Sequence, residues 1–72
     1  MKVHLYLMRE PDSSTNEAVP FGTFEVKDAP EKGKTIKICF EYENNTSNKV
    51  ELTVQQVVNK DEKSAEVFVC LP

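Results

Sequence analysis

The run GKTIKICFEYE, residues 33 to 43, alternates between apolar and polar side chains. Ile36, Ile38, Phe40 and Tyr42 fall in one phase; Thr35, Lys37, Cys39, Glu41 and Glu43 fall in the other. Successive side chains of a strand point to opposite faces, so this pattern makes one dry face and one wet face, with Cys39 the odd member of the wet one. The same period recurs in Val3, Leu5 and Leu7, in Phe24 and Val26, in Val50, Leu52, Val54 and Val58, and in Ala65, Val67, Val69 and Leu71. No window carries a sustained helical period behind a cap. The chain reads as all-β with five strands. A one-sided sheet with no helix to cover it must curl on itself or pair with a second copy. The expected architecture is a five-stranded antiparallel small barrel (SH3-like) or a curled meander sheet, with residues 1–72 as one β domain.

Turn chemistry and charge suggest a register. Residues 28–33, DAPEKG, hold a proline that cannot donate to a ladder and a glycine that can take a positive φ. Pairing Phe24 with Ile38 and Val26 with Ile36 sets Glu25 opposite Lys37, a favourable cross-strand pair. Asparagine-rich residues 44–48 mark the next turn, and pairing Phe40 with Leu52 and Ile38 with Val54 keeps the apolar phases together. That register sets Glu41 against Glu51 and defines an acidic face of Glu25, Glu41, Glu43 and Glu51. The doubled Val57 and Val58 break the phase of strand four, which a bulge near Gln55 and Gln56 explains. Strand one is expected beside strand five. The stretch from Glu10 to Pro20 is a long polar loop of the kind that is often functional.

Composition narrows the function. Nine basic and twelve acidic residues leave a net charge of -3, so direct binding to nucleic acid or an anionic membrane is not expected. No apolar run is long enough to span a bilayer. The N-terminus reads as a strand and not as a secretion signal, and two cysteines without such a signal point to the cytoplasm and free thiols. The chemistry-bearing residues are sparse. His4, Cys39 and Cys70 are three donors far apart in the chain, with Met8 a poor fourth, whereas structural zinc takes four nitrogen or sulfur ligands. No metal and no cofactor is expected. One histidine and two glycines, Gly22 and Gly33, give neither a nucleophile–base pair nor a phosphate-cradling loop, so the chain is not read as an enzyme.

The outer phases of strands one and five are less polar than an outer face should be. Tyr6, Met8, Phe68 and Cys70 would sit side by side if those strands are neighbours. Two readings stand. The patch is a protein-contact surface, of the residue types that interfaces favour; or the Glu10–Pro20 loop folds over it with Ala18, Val19 or Phe21 and extends the core. The segments VHLYL, GTFEV and PEKGKTIKI, in the first half of the chain, resemble short uncharacterised bacterial and phage proteins of small-β-barrel type. The resemblance implies a fold and no activity. With no tryptophan, the chain lacks the motifs by which signalling SH3 domains hold proline-rich peptides.

The expected function is non-enzymatic contact with another protein or with a second copy in a homodimer. The alternative is an acidic accessory or inhibitor protein acting on a nucleic-acid-binding enzyme through Glu25, Glu41, Glu43 and Glu51.

Overall fold

A computed structural model describes residues 1–41 and 47–71, with the backbone alone for 39–41, 47 and 48. The chain is all-β. Its strands are β1 (Lys2–Leu7), β2 (Val19–Glu25), β3 (Thr35–Glu41), β4 (Ser47–Asn59) and β5 (Ser64–Cys70), with a single 3₁₀ turn, Thr15–Glu17, between β1 and β2. They form one sheet in the order β2-β1-β5-β4-β3, curled into a half-barrel. The Cα radius of gyration is 12.4 Å, against about 11 Å for a closely packed chain of this length, as an unclosed sheet requires.

Alternation builds the inside. Val3 and Leu5 of β1, Val67 and Val69 of β5, Leu52 and Val54 of β4 and Ile38 of β3 are buried together on the concave face. Met1, Leu7, Phe21, Ile36, Val50 and Val57 pack around them. The bulge falls where the doubled valines require it, between Val54 and Gln56. Its effect is to split the pair. Val57 joins the inner core and Val58 turns to the outer face, so the expected inward place of Val58 belongs to Val57. A second irregularity, between Leu5 and Tyr6 on β1, lets Leu5 pair with Gly22 and Tyr6 with Pro20. The strand expected around Phe24 therefore begins at Val19, and Pro20 is tolerated because β2 is an edge.

β1 and β5 are neighbours, as expected, but they run parallel, from Lys2 opposite Ser64 to Leu7 opposite Val69. The reason is one of counting. Five strands that reverse direction at each connection leave the first and fifth pointing the same way, so joining them makes a parallel ladder in an otherwise antiparallel sheet.

The expected β2–β3 ladder is not formed; the two strands are the outer edges of the sheet. Glu25 is drawn to the chain's own N-terminal ammonium at 3.5 Å, and Met1 and Val26 exchange both backbone hydrogen bonds, at 2.7 and 2.9 Å. Lys37 is drawn the other way, to Glu51 at 3.6 Å. Gly33, with φ of 90°, donates to Val54 O and Lys34 O accepts from Val54, which ties the start of β3 to β4. The β3–β4 register also differs from expectation. Ile36 faces Leu52 and Ile38 faces Val50, so Glu51 opposes Lys37 and not Glu41. Tyr42 and Glu43 lie outside the described residues.

Leu52→Ala, at a side chain 1% exposed, is expected to cost about 2–5 kcal/mol in urea unfolding. Val19→Ala, at 61% exposure, is expected to be close to silent. Comparable losses at the two positions would contradict this account of the core.

Candidate functional site

The outer face carries a second apolar cluster. Met8, Phe68 and Cys70 are buried there, with Tyr6, Ala18 and Val58 packed against them. Tyr6 and Phe68 are register partners on the parallel strands, and their rings stack with centroids 5.2 Å apart and planes 22° from parallel. Met8 N donates to Val69 O at 2.7 Å, which carries the pairing one residue past β1. The chain then turns back over the patch. Ser13 Oγ accepts from Glu10 N at 3.0 Å, Ser14 Oγ accepts from Asn16 N at 3.2 Å, and Ala18 N donates to Thr15 O. These bonds give the polar loop a defined course that sets Ala18 on the cluster. The four residues expected as a contact surface are thus brought together, but three are buried and only Tyr6 is part-exposed. The patch is a small second core under its own loop.

Beside it lies a chain of polar groups. Lys60 Nζ is 3.1 Å from Glu66 Oε1, and the Tyr6 hydroxyl donates to the same carboxylate. The Lys60 hydrogen bond lowers the Glu66 pKa; partial burial opposes this, and the Tyr6 hydroxyl assists it. Acceptance by Glu66 raises the Tyr6 pKa in turn, with partial burial adding to the shift. His4 Nδ1 lies 3.2 Å from Thr23 Oγ1 on the neighbouring strand. In the β4–β5 turn Asp61 accepts from Lys63 N at 2.7 Å, and that bond lowers its pKa. These groups satisfy one another across the surface.

The acidic face does not assemble. Glu25 sits on β2 and Glu51 on β4, with β1 and β5 between them, and each has a cationic neighbour. Glu41 is placed only as the ladder partner of Ser47, and Glu43 is outside the described residues. Among the described residues no three His, Cys, Asp or Glu side chains converge as a metal site would require. Cys70 is a buried free thiol in the second core, on a different strand from His4.

What alternation alone does not reveal is the gap between β2 and β3. A largely apolar groove of about 540 Å³ lies there, lined by Val3 and Leu5 of β1, Phe24, Glu25 and Val26, Asp28 and Pro30 of the connection, and Ile36, Lys37 and Ile38 of β3. Phe24 and Val26 are 38% and 37% exposed. Gly22 admits the Phe24 ring, because a Cβ at Gly22 would come within 3.1 Å of it. The groove is flanked by strand edges. Met1 and Val26 exchange both their bonds, so by alternation Phe24 and Gly22 also bond to β1, while the backbone groups of Thr23 and Glu25 turn to the open edge. The same reasoning from Val54 turns those of Thr35 and Lys37 to the open edge of β3. The sequence signal was present in Phe24 and Val26; what hid the groove was the assumption that β2 pairs with β3.

No protein-family model, curated protein or solved structure matches this chain.

Two measurements check this geometry. In a Cys39→Ser background, Cys70 is expected to react slowly with a maleimide in the native state and rapidly in denaturant; Ala18→Asp should speed the native reaction. Equal rates in native and unfolded protein would mean that the loop does not cover the cluster. Because the folded pKa of Glu66 is depressed, its contribution is present above the unfolded value and lost as pH falls through the folded one. The melting temperature of Glu66→Gln should therefore lie below wild type at neutral pH and converge with it in acid. A difference that persists in acid would argue against the Lys60–Glu66–Tyr6 linkage.

Proposed function

We propose that this protein is a non-enzymatic contact module of the cytoplasm, and that it engages another protein through the groove between β2 and β3. One observation carries the reading: an apolar groove lies between two strand edges that have no partner strand among the described residues. Unpaired edges beside exposed apolar side chains invite association, and proteins ordinarily guard them with charge, proline or a bulge. Here the guards are partial: Pro30, Glu25, Asp28 and Lys37 are on the lining, but the edges of β2 and β3 beside Phe24 and Ile36 have no partner strand among the described residues. Pro20 and the irregularity at Phe21 are at the far end of β2, and Lys37 is engaged by Glu51.

Lys60, Glu66 and Tyr6 pair with one another on the outer face, and none of them lines the groove. An acidic surface directed at a nucleic-acid-binding enzyme has less support, because Glu25 and Glu51 are two strands apart and each faces a cation.

The test compares two surface variants in a co-precipitation of the protein with its partner, followed by reconstitution from purified components. Phe24→Glu places a charge in the groove and is expected to weaken association about tenfold or more, as loss of a central aromatic contact does. Val19→Glu, on the same strand but outside the groove, should leave it unchanged. Circular dichroism should be unaltered in both, since both side chains are exposed. Equal binding by Phe24→Glu and wild type would move the contact elsewhere on the molecule.

A further inference from the structure

The groove is apolar and lies between two strand edges, as a site for an added strand would. Following the chain through its reversals, β2 and β3 run in opposite directions across the gap. Each turns backbone donors and acceptors toward it, at Thr23 and Glu25 on one side and at Thr35 and Lys37 on the other. Inner-phase side chains, among them Val3, Leu5, Ile36 and Ile38, line it. A single extended segment would meet an edge and the lining together. Its backbone could bond to an open edge, and every second side chain would enter the groove.

The length of the open edges sets the length of the occupant. β2 and β3 are seven residues each. A segment of about five or six residues, spanning some 17–20 Å as a strand, suits them. Charge then selects among segments. Two carboxylates, Glu25 and Asp28, and one cation, Lys37, lie on the lining; Glu25 is paired with the N-terminal ammonium and Lys37 with Glu51, which leaves Asp28 as the lining charge with no ion pair among the described residues. The unspent charge on the rim is negative, on a chain of net charge -3.

We propose that the occupant is an extended segment of another protein, apolar at alternate positions and carrying lysine or arginine beside them, which enters as a sixth strand. It would lie antiparallel to one edge strand and parallel to the other. The inference rests on the groove being the contact site and adds what kind of partner fills it.

The experiment uses the full chain labelled with ¹⁵N and three synthetic peptides. The first alternates valine and threonine over six residues behind two lysines. The second replaces the lysines by glutamates. The third keeps the lysines and replaces the valines by prolines. With the first peptide, amide hydrogen exchange at Thr23 and Glu25, or at Thr35 and Lys37, is expected to slow about tenfold or more, as new ladder bonds require. The glutamate peptide should bind about threefold or more weakly at low salt, a difference that salt removes. The proline peptide, unable to donate to a ladder, should give no protection.

Three results would overturn the proposal. Shifts confined to Phe24 and Ile36 with no edge protection would mean a groove for apolar ligands that is not a strand site. Edge protection that rises with protein concentration alone, with dimers in sedimentation, would make the occupant a second copy. No shift and no protection with peptide up to about 1 mM, an affinity weaker than about -4 kcal/mol, would exclude an added strand of this chemistry. The Phe24→Glu and Val19→Glu comparison does not depend on any of these peptides, so the contact reading and the strand reading can fail separately.

Discussion

The parallel ladder between β1 and β5 is the contact on which the rest of the structure depends. It sets the first and last strands in the middle of the sheet, where Val3, Leu5, Val67 and Val69 are covered from both sides. Every other strand takes its place from that junction. β2 hangs from β1 by a hairpin with one irregularity, and β4 and β3 follow from β5. A chain of this length has little surplus stability, so a junction that joins its most distant segments also makes most of its core. With the β1–β5, β1–β2, β4–β5 and β3–β4 ladders all formed, the opening lies between β2 and β3.

Charged pairs form on each side of the opening and none across it among the described residues. The N-terminal ammonium, Glu25, Lys37 and Glu51 could have been shared across the gap, with Glu25 facing Lys37. Each is satisfied on its own side instead, Glu25 by the N-terminus and Lys37 by Glu51. These are exposed pairs and individually weak. Their role is to bias register, and with the backbone exchange between Met1 and Val26 and the Gly33–Val54 bond they hold each edge strand to its inner neighbour. The exposed side chains of Phe24 and Val26 are the consequence. The outer face shows the opposite outcome. There a loop built from serine turns returns over Met8, Phe68 and Cys70, and a patch that looked like an interface becomes interior.

Alternation shows which residues share a face, and that much of the candidate site was legible. Val3, Leu5, Ile36 and Ile38 share the inner phase, Tyr6, Met8, Phe68 and Cys70 share the outer one, and the doubled valines call for the bulge that is found. Register is a different matter. The expected β3–β4 pairing set Ile38 against Val54, and the observed one sets Ile38 against Val50. A slip by an even number of residues keeps every side chain on its face, so the hydrophobic pattern cannot tell the two apart. Cross-strand charge can, because one register opposes Glu41 to Glu51 and the other opposes Lys37 to Glu51. Cys39, the odd member of the wet phase, opposes Lys49 in that ladder.

The sequence by itself determined the strand count, the inner and outer phases and the site of the bulge, because each is set by residues within a few positions of one another. It also determined, through the number of reversals, that strands one and five would run parallel if they met. The tertiary structure alone decided which of the five junctions would stay open, which face the long loop would cover, and which carboxylate each cation would take. Those outcomes turn on competition between groups distant in the chain, such as the N-terminal ammonium and Lys37 for Glu25, and local pattern carries no record of such a competition.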